Sequence, residues 1–306
     1  MKRIKVNLIK IAISVVLLIP ENLLVLILSR LFELVYWFRP NYHVIIVKNL
    51  KLAFPELDDT TLLGLRKAHN RSLAYLIIDT FRLCAHSFDR ILADLVINEP
   101  ERVELIKQKY AGRGILFLSA HLGSFELLPG FLANVFGKLG IIVRQHSTEV
   151  VNTLLEDIRT VTNVESIPRS GALRKMVKYL RANQNFGLLF DQNVVRKDAL
   201  FVPWFNKQAA TTVAVGVAAL KSRCPIVMCA VQRTIDRKFI FTVQELEYYD
   251  ILDDAALNED QKMEQITLRC VTVVEEYIRQ DPAAWFWLHR RWKTRPEGEP
   301  ELFYAK

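Results

Sequence analysis

The chain has 306 residues, 51% of them hydrophobic, and carries a formal net charge of +8. This length suits one large domain or two small ones, and the apolar content can build a core with apolar surface left over. The positive charge implies an anionic partner, which leaves nucleic acid, acidic lipid and an acidic carrier protein open, and the four cysteines are scattered in apolar contexts that exclude a disulfide framework.

The N-terminal segment, residues 1–38, is cationic at its start and then almost continuously apolar. A cleaved signal peptide is disfavoured because no small-residue cleavage site follows the apolar run. Pro20, Glu21 and Asn22 divide the run, which disfavours one uninterrupted spanning helix. The early lysines favour a cytoplasmic N-terminus. We therefore expect residues 1–40 to be a re-entrant or in-plane membrane anchor and residues 41–306 to be a catalytic domain on the cytoplasmic side.

A long helix is predicted after this segment. Pro55 and the pair Asp58 and Asp59 mark its start, and apolar residues follow at helical spacing. On this pattern His69 is expected on the helix surface.

From Gly114 onward, short apolar runs alternate with helical stretches. The predicted strands are GILFLSA, LGIIVRQ, FGLLFDQ, CPIVMCAVQ and FIFTVQEL, and the predicted helices are residues 125–136, 150–161, 172–183 and 211–221. Such alternation predicts an α/β fold with a mostly parallel, mixed sheet flanked by helices.

The stretch SAHLGSFELL places His121 directly after the first of these strands, at the sheet edge where α/β proteins bind ligands. Glu126 is expected in the first turn of the next helix, capped by Ser124. An ionised Glu126 could orient the imidazole of His121, which could then remove a proton from a substrate hydroxyl. By spacing alone, His121 and Glu126 are equally compatible with a purely structural role.

Three further residues of this region are candidates for substrate binding. Arg144 and Asp191 end two other predicted strands and are expected at the same edge as His121. Arg159 belongs to a polar stripe with Asn152 and Glu156, which could be an ordinary solvated helix face. Asp191 could hold an active-site arginine or the substrate, or could form a structural ion pair.

Two aromatic segments complete the candidate site. FVPWFNKQAATT places aromatics and Lys207 before a helix expected to open at Thr211 or Thr212, a combination that suits an acyl tunnel or a packed core. WFWLHRRWKTRP interleaves tryptophans with Arg290, Arg291 and Lys293, as membrane-interface surfaces that bind phosphate do. Single-stranded nucleic-acid binding shows similar interleaving, but no nucleic-acid module is present.

Nearly the whole chain resembles the late acyltransferases of lipid A biosynthesis, the lauroyl/myristoyl acyltransferase family. The matching blocks, in order, are NLKLAFPEL, AHLGSFELL, VRQHSTEVVNTLLEDIR, FDQNV, FVPWFNKQAATT and HRRWKTRPEGEP. The resemblance implies a glycerolipid-acyltransferase-like fold and an H-x4-D/E catalytic pair, here His121 and Glu126. It also raises Arg159 and Asp191 to site residues.

The resemblance further implies the substrates: a fatty acyl group passes from an acyl carrier protein thioester to a hydroxyl of a lipid A precursor, at the cytoplasmic face of a bacterial inner membrane. We expect direct transfer without cofactor, metal or acyl-enzyme. Alternatives are another glycolipid or lysophospholipid acceptor, coenzyme A as donor, and a non-catalytic membrane-binding protein. A serine-dependent thioesterase or lipase is a further alternative, although no G-x-S-x-G sequence is present.

Overall fold

The computed structural model describes residues 2–143, 148–234, 236–301 and 304. The helices are α1 (Lys2–Val16), α2 (Glu21–Phe38), α3 (Pro40–Ala53), α4 (Asp59–Ala85), α5 (Phe88–Leu92), α6 (Pro100–Lys109), α7 (Leu128–Phe136), α8 (Glu149–Val161), α9 (Ala172–Arg181), α10 (Ala214–Ser222), α11 (Tyr249–Asp253) and α12 (Glu259–Gln280). The strands are β1 (Leu95–Ile97), β2 (Leu116–Ser119), β3 (Leu139–Val143), β4 (Val164–Pro168), β5 (Asn185–Leu189), β6 (Ala199–Trp204), β7 (Lys207–Thr212), β8 (Ile226–Arg233) and β9 (Phe239–Glu245).

Seven strands form one sheet in the order β1-β9-β8-β2-β5-β3-β4. Neighbouring strands are parallel except for β8 and β9, which pair antiparallel. The predicted mostly parallel, mixed α/β sheet is therefore confirmed, and all five predicted strands belong to it. Two strands that the sequence pattern did not predict, β1 and β4, form its edges.

Both faces of the sheet are covered. Along β2, Leu116 and Leu118 pack with residues of α9, α10 and α12, whereas Phe117 points the other way and packs with α6 and α7. Strand residues alternate between faces, so the nearly unbroken apolar sequence of β2 is what a strand buried on both sides requires.

The N-terminal helices pack against the rest of the chain. Arg3 of α1 donates two hydrogen bonds of 2.8 Å to Asp157 of α8, and Arg66 of α4 donates to both carboxylate oxygens of Glu33 in α2 at 2.8 and 2.9 Å. The helix α4 begins at Asp59, as predicted, and Asp58 caps it by accepting from the backbone N–H of Thr61 at 2.7 Å. The division into anchor and catalytic domain stays a prediction.

Within the described ranges, no single helix has the length and apolarity needed to cross a membrane. Residues 3–16 and 21–38 satisfy those criteria only as a pair, and the pair is bent by 107° at the break that contains Pro20. Their outward faces are apolar, with side chains such as those of Leu8, Leu26 and Leu34 exposed.

Several local expectations were wrong. His69 is completely buried within α4, where its Nδ1 lies 3.0 Å from the carbonyl oxygen of Ala283. FVPWFNKQAATT forms the β6–β7 hairpin instead of leading directly into a helix, and α10 begins only at Ala214. Thr211 is a buried strand residue whose hydroxyl accepts from the indole N–H of Trp204 at 3.0 Å. The tertiary contacts of these residues decide their positions, and local patterns do not contain them.

Candidate active site

Two adjacent parallel strands position the central residues of the site. β2 ends at Ser119 and β5 at Leu189, and these two residues are paired in register. His121 and Asp191 each follow their strand by two residues, so both lie at the carboxyl edge of the sheet, as predicted. Arg144, expected at the same edge, lies outside the described residues.

His121 and Asp191 form a hydrogen-bonded pair. The Nδ1 of His121 lies 2.8 Å from Asp191 Oδ1, while Asp191 Oδ2 accepts from the backbone N–H of His121 at 3.0 Å and from the indole N–H of Trp285 at 2.7 Å. The carboxylate is buried and the imidazole is partly exposed. Asp191 therefore holds the imidazole itself, and not an arginine as one expectation had it.

The arrangement also fixes where the proton of His121 resides. Because Asp191 accepts from Nδ1, the neutral ring carries its proton there and leaves a lone pair on Nε2. The Nε2 atom lies 3.2 Å from the side-chain nitrogen of Gln192, which donates to that lone pair. Phe125 and Phe286 flank the ring, with centroid distances of 4.8 and 6.4 Å. A substrate hydroxyl that takes the place of Gln192 can therefore give its proton to Nε2 of His121.

Electrostatics favour protonation of His121. Burial alone would lower its pKa, but the charge of Asp191, the hydrogen bond to it and the charge of Glu126 outweigh burial and raise the pKa above its usual value. Burial alone would likewise raise the pKa of Asp191, yet His121, Trp285 and the backbone N–H of His121 lower it to about 2. The pair can accept a proton on imidazole while the carboxylate stays ionised.

Glu126 differs from its expected local position. The residues from Ser124 to Leu127 form a turn, and α7 begins at Leu128, two residues after Glu126. Ser124 does not cap α7, because its hydroxyl donates to the buried carboxylate of Asp79 at 2.6 Å. Pro129 occupies the first turn of α7 instead. Glu126 consequently projects from a turn, with an exposed side chain.

Glu126 and Arg159 meet at one small cavity of about 50 Å³. Most of its remaining lining is apolar and includes Leu83 of α4, Phe88 of α5 and Ile158 of α8. Arg159 is half-buried, and its Nη1 lies 3.3 Å from the hydroxyl of Ser166. Burial lowers the pKa of Arg159, and the charges of Glu156 and Glu126 partly offset this effect. The structure therefore brings Arg159 to the Glu126 side of the site.

The basic aromatic segment near the C-terminus is largely interior, contrary to the surface expected for it. Trp285, Trp287 and Trp292 are buried. Arg291 is buried too: it donates to the carbonyl oxygen of Ala210 at 2.6 Å and to the hydroxyl of Thr211, and its guanidinium stacks over Trp204 at 4.6 Å. Burial lowers the pKa of Arg291 to about 9. Arg291 ties this segment to the β6–β7 hairpin.

Arg290 and Lys293 are nearer the surface. The guanidinium of Arg290 lies 6.0 Å from the ring centroid of Tyr304, and Lys293 is exposed. Their role in substrate binding stays a prediction.

Sequence reasoning missed Trp285, Gln192 and His289 as site residues. Trp285 and Gln192 contact the His121–Asp191 pair directly, and the Nε2 of His289 accepts from the backbone N–H of Asn193 at 2.7 Å. Burial lowers the pKa of His289 to about 4, so it is neutral. Of the three, only Gln192 had a signal in the sequence, namely its position beside Asp191. Trp285 lies 94 residues away in sequence from Asp191, so no local pattern connects the two.

By fold and site, the molecule is an α/β protein with a histidine that a buried carboxylate orients at the carboxyl edge of its sheet. A family model described as bacterial lipid A biosynthesis acyltransferase matches residues 2–294. The chain therefore belongs to the bacterial lipid A biosynthesis acyltransferase family, which confirms the resemblance noted from its motifs.

Individual relatives agree with this membership. A lipid A biosynthesis acyltransferase of Haemophilus influenzae is 26% identical over 84% of this chain and 79% of its own length. The lipid A biosynthesis palmitoleoyltransferase of Escherichia coli is 24% identical over 84% of this chain and 80% of its own length. The lipid A biosynthesis lauroyltransferase of the same organism is 27% identical over 85% of this chain and 81% of its own length.

Among solved structures, the 1-acyl-sn-glycerophosphate acyltransferase PlsC from Thermotoga maritima is similar at 14% identity, with a TM-score of 0.37, over 86% of this chain and 97% of that one.

Proposed function

We propose that this acyltransferase moves a fatty acyl group from an acyl carrier protein thioester to a hydroxyl of a lipid A precursor, as a late acylation step. The single observation that carries the chemistry is the His121–Asp191 pair, which leaves Nε2 of His121 as a base at the sheet edge. Membership in a lipid A acyltransferase family, and the lipid A acyltransferases among its relatives, support the acceptor class.

In this proposal the acceptor hydroxyl gives its proton to Nε2 of His121 as its oxygen attacks the thioester carbonyl. Asp191 and Glu126 are both negative near the ring, and both stabilise the imidazolium that forms. Collapse of the tetrahedral intermediate expels the thiolate, which regains the proton from His121. The products are an ester on the acceptor and the free thiol of the carrier.

The environment of Ser124 supports direct transfer over an acyl-enzyme. Its side chain is buried, and its hydroxyl proton is engaged by Asp79 at 2.6 Å, so it is not prepared to act as a nucleophile for His121.

We also propose that α1 and α2 associate with the cytoplasmic face of the inner membrane. The exposed apolar side chains of both helices and the charge of +8 support this association, since an anionic bilayer attracts such a surface.

The test is an acylation assay with the purified protein, labelled acyl carrier protein thioester and a hydroxyacylated lipid A precursor. Wild type should form product, whereas folded His121→Ala should lose at least about 10²-fold in rate, because general-base catalysis contributes that much. Glu126→Gln should also be slower, and the matched control Glu104→Gln, an exposed residue paired with Lys107, should equal wild type.

Parallel reactions with acyl coenzyme A and with a lysophospholipid acceptor test the donor and acceptor choices. Product only from one of these would overturn the corresponding part of the proposal. Equal rates for wild type and His121→Ala would overturn its chemistry.

A further inference from the structure

A second cavity lies on the other side of the catalytic turn, against Leu127. It has a volume of about 190 Å³, and its polar wall comes from the end of α4, from α5 and from the residues beside them. The wall side chains are those of Asp79, Arg82, His86, Arg90 and Asp94. We call it the Arg82–Arg90 cavity. None of the residues assigned to proton transfer lines it.

The carboxylates around this cavity already have cationic partners. Asp79 lies 3.2 Å from Nε of Arg233, Asp94 lies 3.0 Å from Nζ of Lys238, and Glu21 lies 2.5 Å from Nη2 of Arg82. They therefore do not give the cavity a negative character.

One positive charge of the lining is left without a partner. Arg82 and Arg90 line the cavity beside the carboxylates of Asp79 and Asp94, and Arg233 and Lys238 pair with these two carboxylates from outside the lining. Arg82 pairs with Glu21, whereas within the described part of the chain no carboxylate lies at ion-pair distance from Arg90. Burial and the nearby charges of Arg90 and Arg82 lower the pKa of His86. Cations gathered in a concave site without a matching anion are the usual arrangement for binding one.

The position of the cavity indicates what kind of anion it would meet. Arg82 pairs with Glu21, the first residue of α2, so the cavity adjoins the bend between α1 and α2. The residues on both sides of that bend, Leu18 and Leu23, are exposed at 81% and 48%. An amphiphile whose chains contact this apolar surface would have its headgroup beside the cavity.

We propose that the Arg82–Arg90 cavity binds the phosphate group of a lipid, with Arg90, Arg82 and His86 as its donors. Two lipids could supply that chemistry: the phosphorylated glycolipid acceptor, which rests on the proposed function, and a phosphate-bearing phospholipid of the bilayer. In either case the phosphate is held against Leu127, next to the turn that carries Glu126.

The test measures binding and does not require turnover. In a His121→Ala background, the affinity for a labelled phosphorylated lipid A precursor in detergent is compared with that for the same glycolipid after phosphatase treatment. A second arm measures flotation with vesicles of digalactosyldiacylglycerol, a lipid without phosphate, that contain or lack phosphatidic acid. Both arms use Arg90→Gln, with Arg174→Gln as the matched control, since Arg174 is an exposed arginine of α9 that does not line the cavity.

Arg90→Gln should weaken binding about tenfold for one phosphorylated ligand, and the control should not. A loss confined to the phosphorylated glycolipid identifies the acceptor as the source, and a loss confined to phosphatidic acid vesicles identifies the bilayer. A loss in both arms means that the cavity accepts either source. The proposal is overturned if Arg90→Gln binds all phosphorylated ligands with the same affinity as Arg174→Gln. It is also overturned if Arg90→Gln loses the same affinity for ligands with phosphate and for ligands without it. The vesicle arm stays decisive even if the protein acylates no lipid A precursor.

Discussion

At the scale of single residues, Asp191 decides which nitrogen of His121 carries the proton. Its carboxylate accepts hydrogen bonds from Nδ1 of His121, from the backbone N–H of His121 and from the indole N–H of Trp285. These three bonds hold the carboxylate in one orientation relative to the ring. Replacement by asparagine keeps the size but allows the other tautomer. We expect folded Asp191→Asn to lose about 10²- to 10⁴-fold in kcat. The control is Asp250→Asn, because Asp250 forms an exposed ion pair with Arg269 and lies in α11.

The same variant should change the pH dependence. In the proposed mechanism activity requires neutral His121, so the rate should rise with pH through the pKa of that residue, which lies above its usual value. Since Asp191 is a main cause of the raised pKa, Asp191→Asn should move the acid limb to lower pH while it lowers the plateau. A pH profile of kcat/KM checks both effects. An unchanged limb would mean that His121 is not the titrating base.

The sequence predicted part of this residue pattern and could not predict the rest. His121 and Asp191 were placed at one sheet edge because parallel strands end there. Their contact was not predicted, since 70 residues separate them and side-chain direction depends on packing. Trp285 and Arg291 show the same limit: aromatic and basic alternation looks alike on a surface and in an interior where arginine stacks on tryptophan.

At the scale of elements, the turn that carries His121 depends on Gly123. Its φ is +58°, and an added Cβ would lie 2.4 Å from the carbonyl oxygen of Val231 in β8. Gly123→Ala should lower the free energy of unfolding by at least about 2 kcal/mol, from backbone strain and the clash together. It should also reduce activity, because His121 lies two residues earlier.

Gly171→Ala is the matched control for this prediction. Its φ is +65°, but nothing lies within 4 Å of the added Cβ. It should lose only about 1 kcal/mol, from the left-handed backbone alone. Chemical denaturation of both variants checks the comparison, and equal losses would show that the contact with Val231 is unimportant.

A buried ion cluster joins α2, α4 and β8 behind that turn. Arg233 binds Glu21 at 3.0 Å and Asp79 at 3.2 Å, and Asp79 accepts from Ser124. Arg233→Met would leave two buried carboxylates with Arg82 as their main partner. We expect the free energy of unfolding to fall by about 3 kcal/mol, the low end for a broken buried pair.

Lys109→Gln breaks an exposed pair with Glu245 and serves as the comparison. Such surface pairs contribute at most about 1 kcal/mol. Urea denaturation curves with unchanged m-values would attribute the difference to stability, whereas a small loss in Arg233→Met would show that Arg82 alone compensates the cluster.

Element prediction succeeded where apolar runs were long enough to be distinctive. β2, β5 and β8 were found because strands buried on both faces are almost wholly apolar. β1 has only three residues and gave no periodic signal, and β4 contains Glu165 and Pro168. The β6–β7 hairpin turns at Phe205 and Asn206, which both have positive φ, and FVPWFNKQAATT lacks the glycine that normally marks such a turn.

At the scale of the whole molecule, α1 and α2 form one apolar outer surface on a folded α/β body. Leu26→Asp combined with Ile27→Asp should reduce binding to anionic vesicles about tenfold or more, because each exposed apolar group buried in a bilayer contributes free energy in proportion to its area. Leu105→Asp, at an exposed leucine of α6, is the control. Vesicle flotation measures the difference, and equal binding would argue against this surface.

The overall architecture followed from sequence more readily than this surface did. Alternating strands and helices define an α/β sheet wherever they occur. By contrast, an apolar N-terminus fits a spanning, re-entrant or in-plane helix equally, and here Glu21 and Glu33 bind arginines of the folded body through contacts that no hydropathy pattern contains.

The indole of Trp285 is also an intrinsic fluorescent probe of the candidate active site. Four of the five tryptophans, at positions 204, 285, 287 and 292, are buried together, and Trp285 stacks on Trp204 with rings 5.8 Å apart while its N–H binds the carboxylate of Asp191. Indole emission responds to a charge at that N–H. In a Trp37→Phe variant, which removes the remaining indole, the intrinsic fluorescence would follow the protonation of His121 and the arrival of substrate without any attached label.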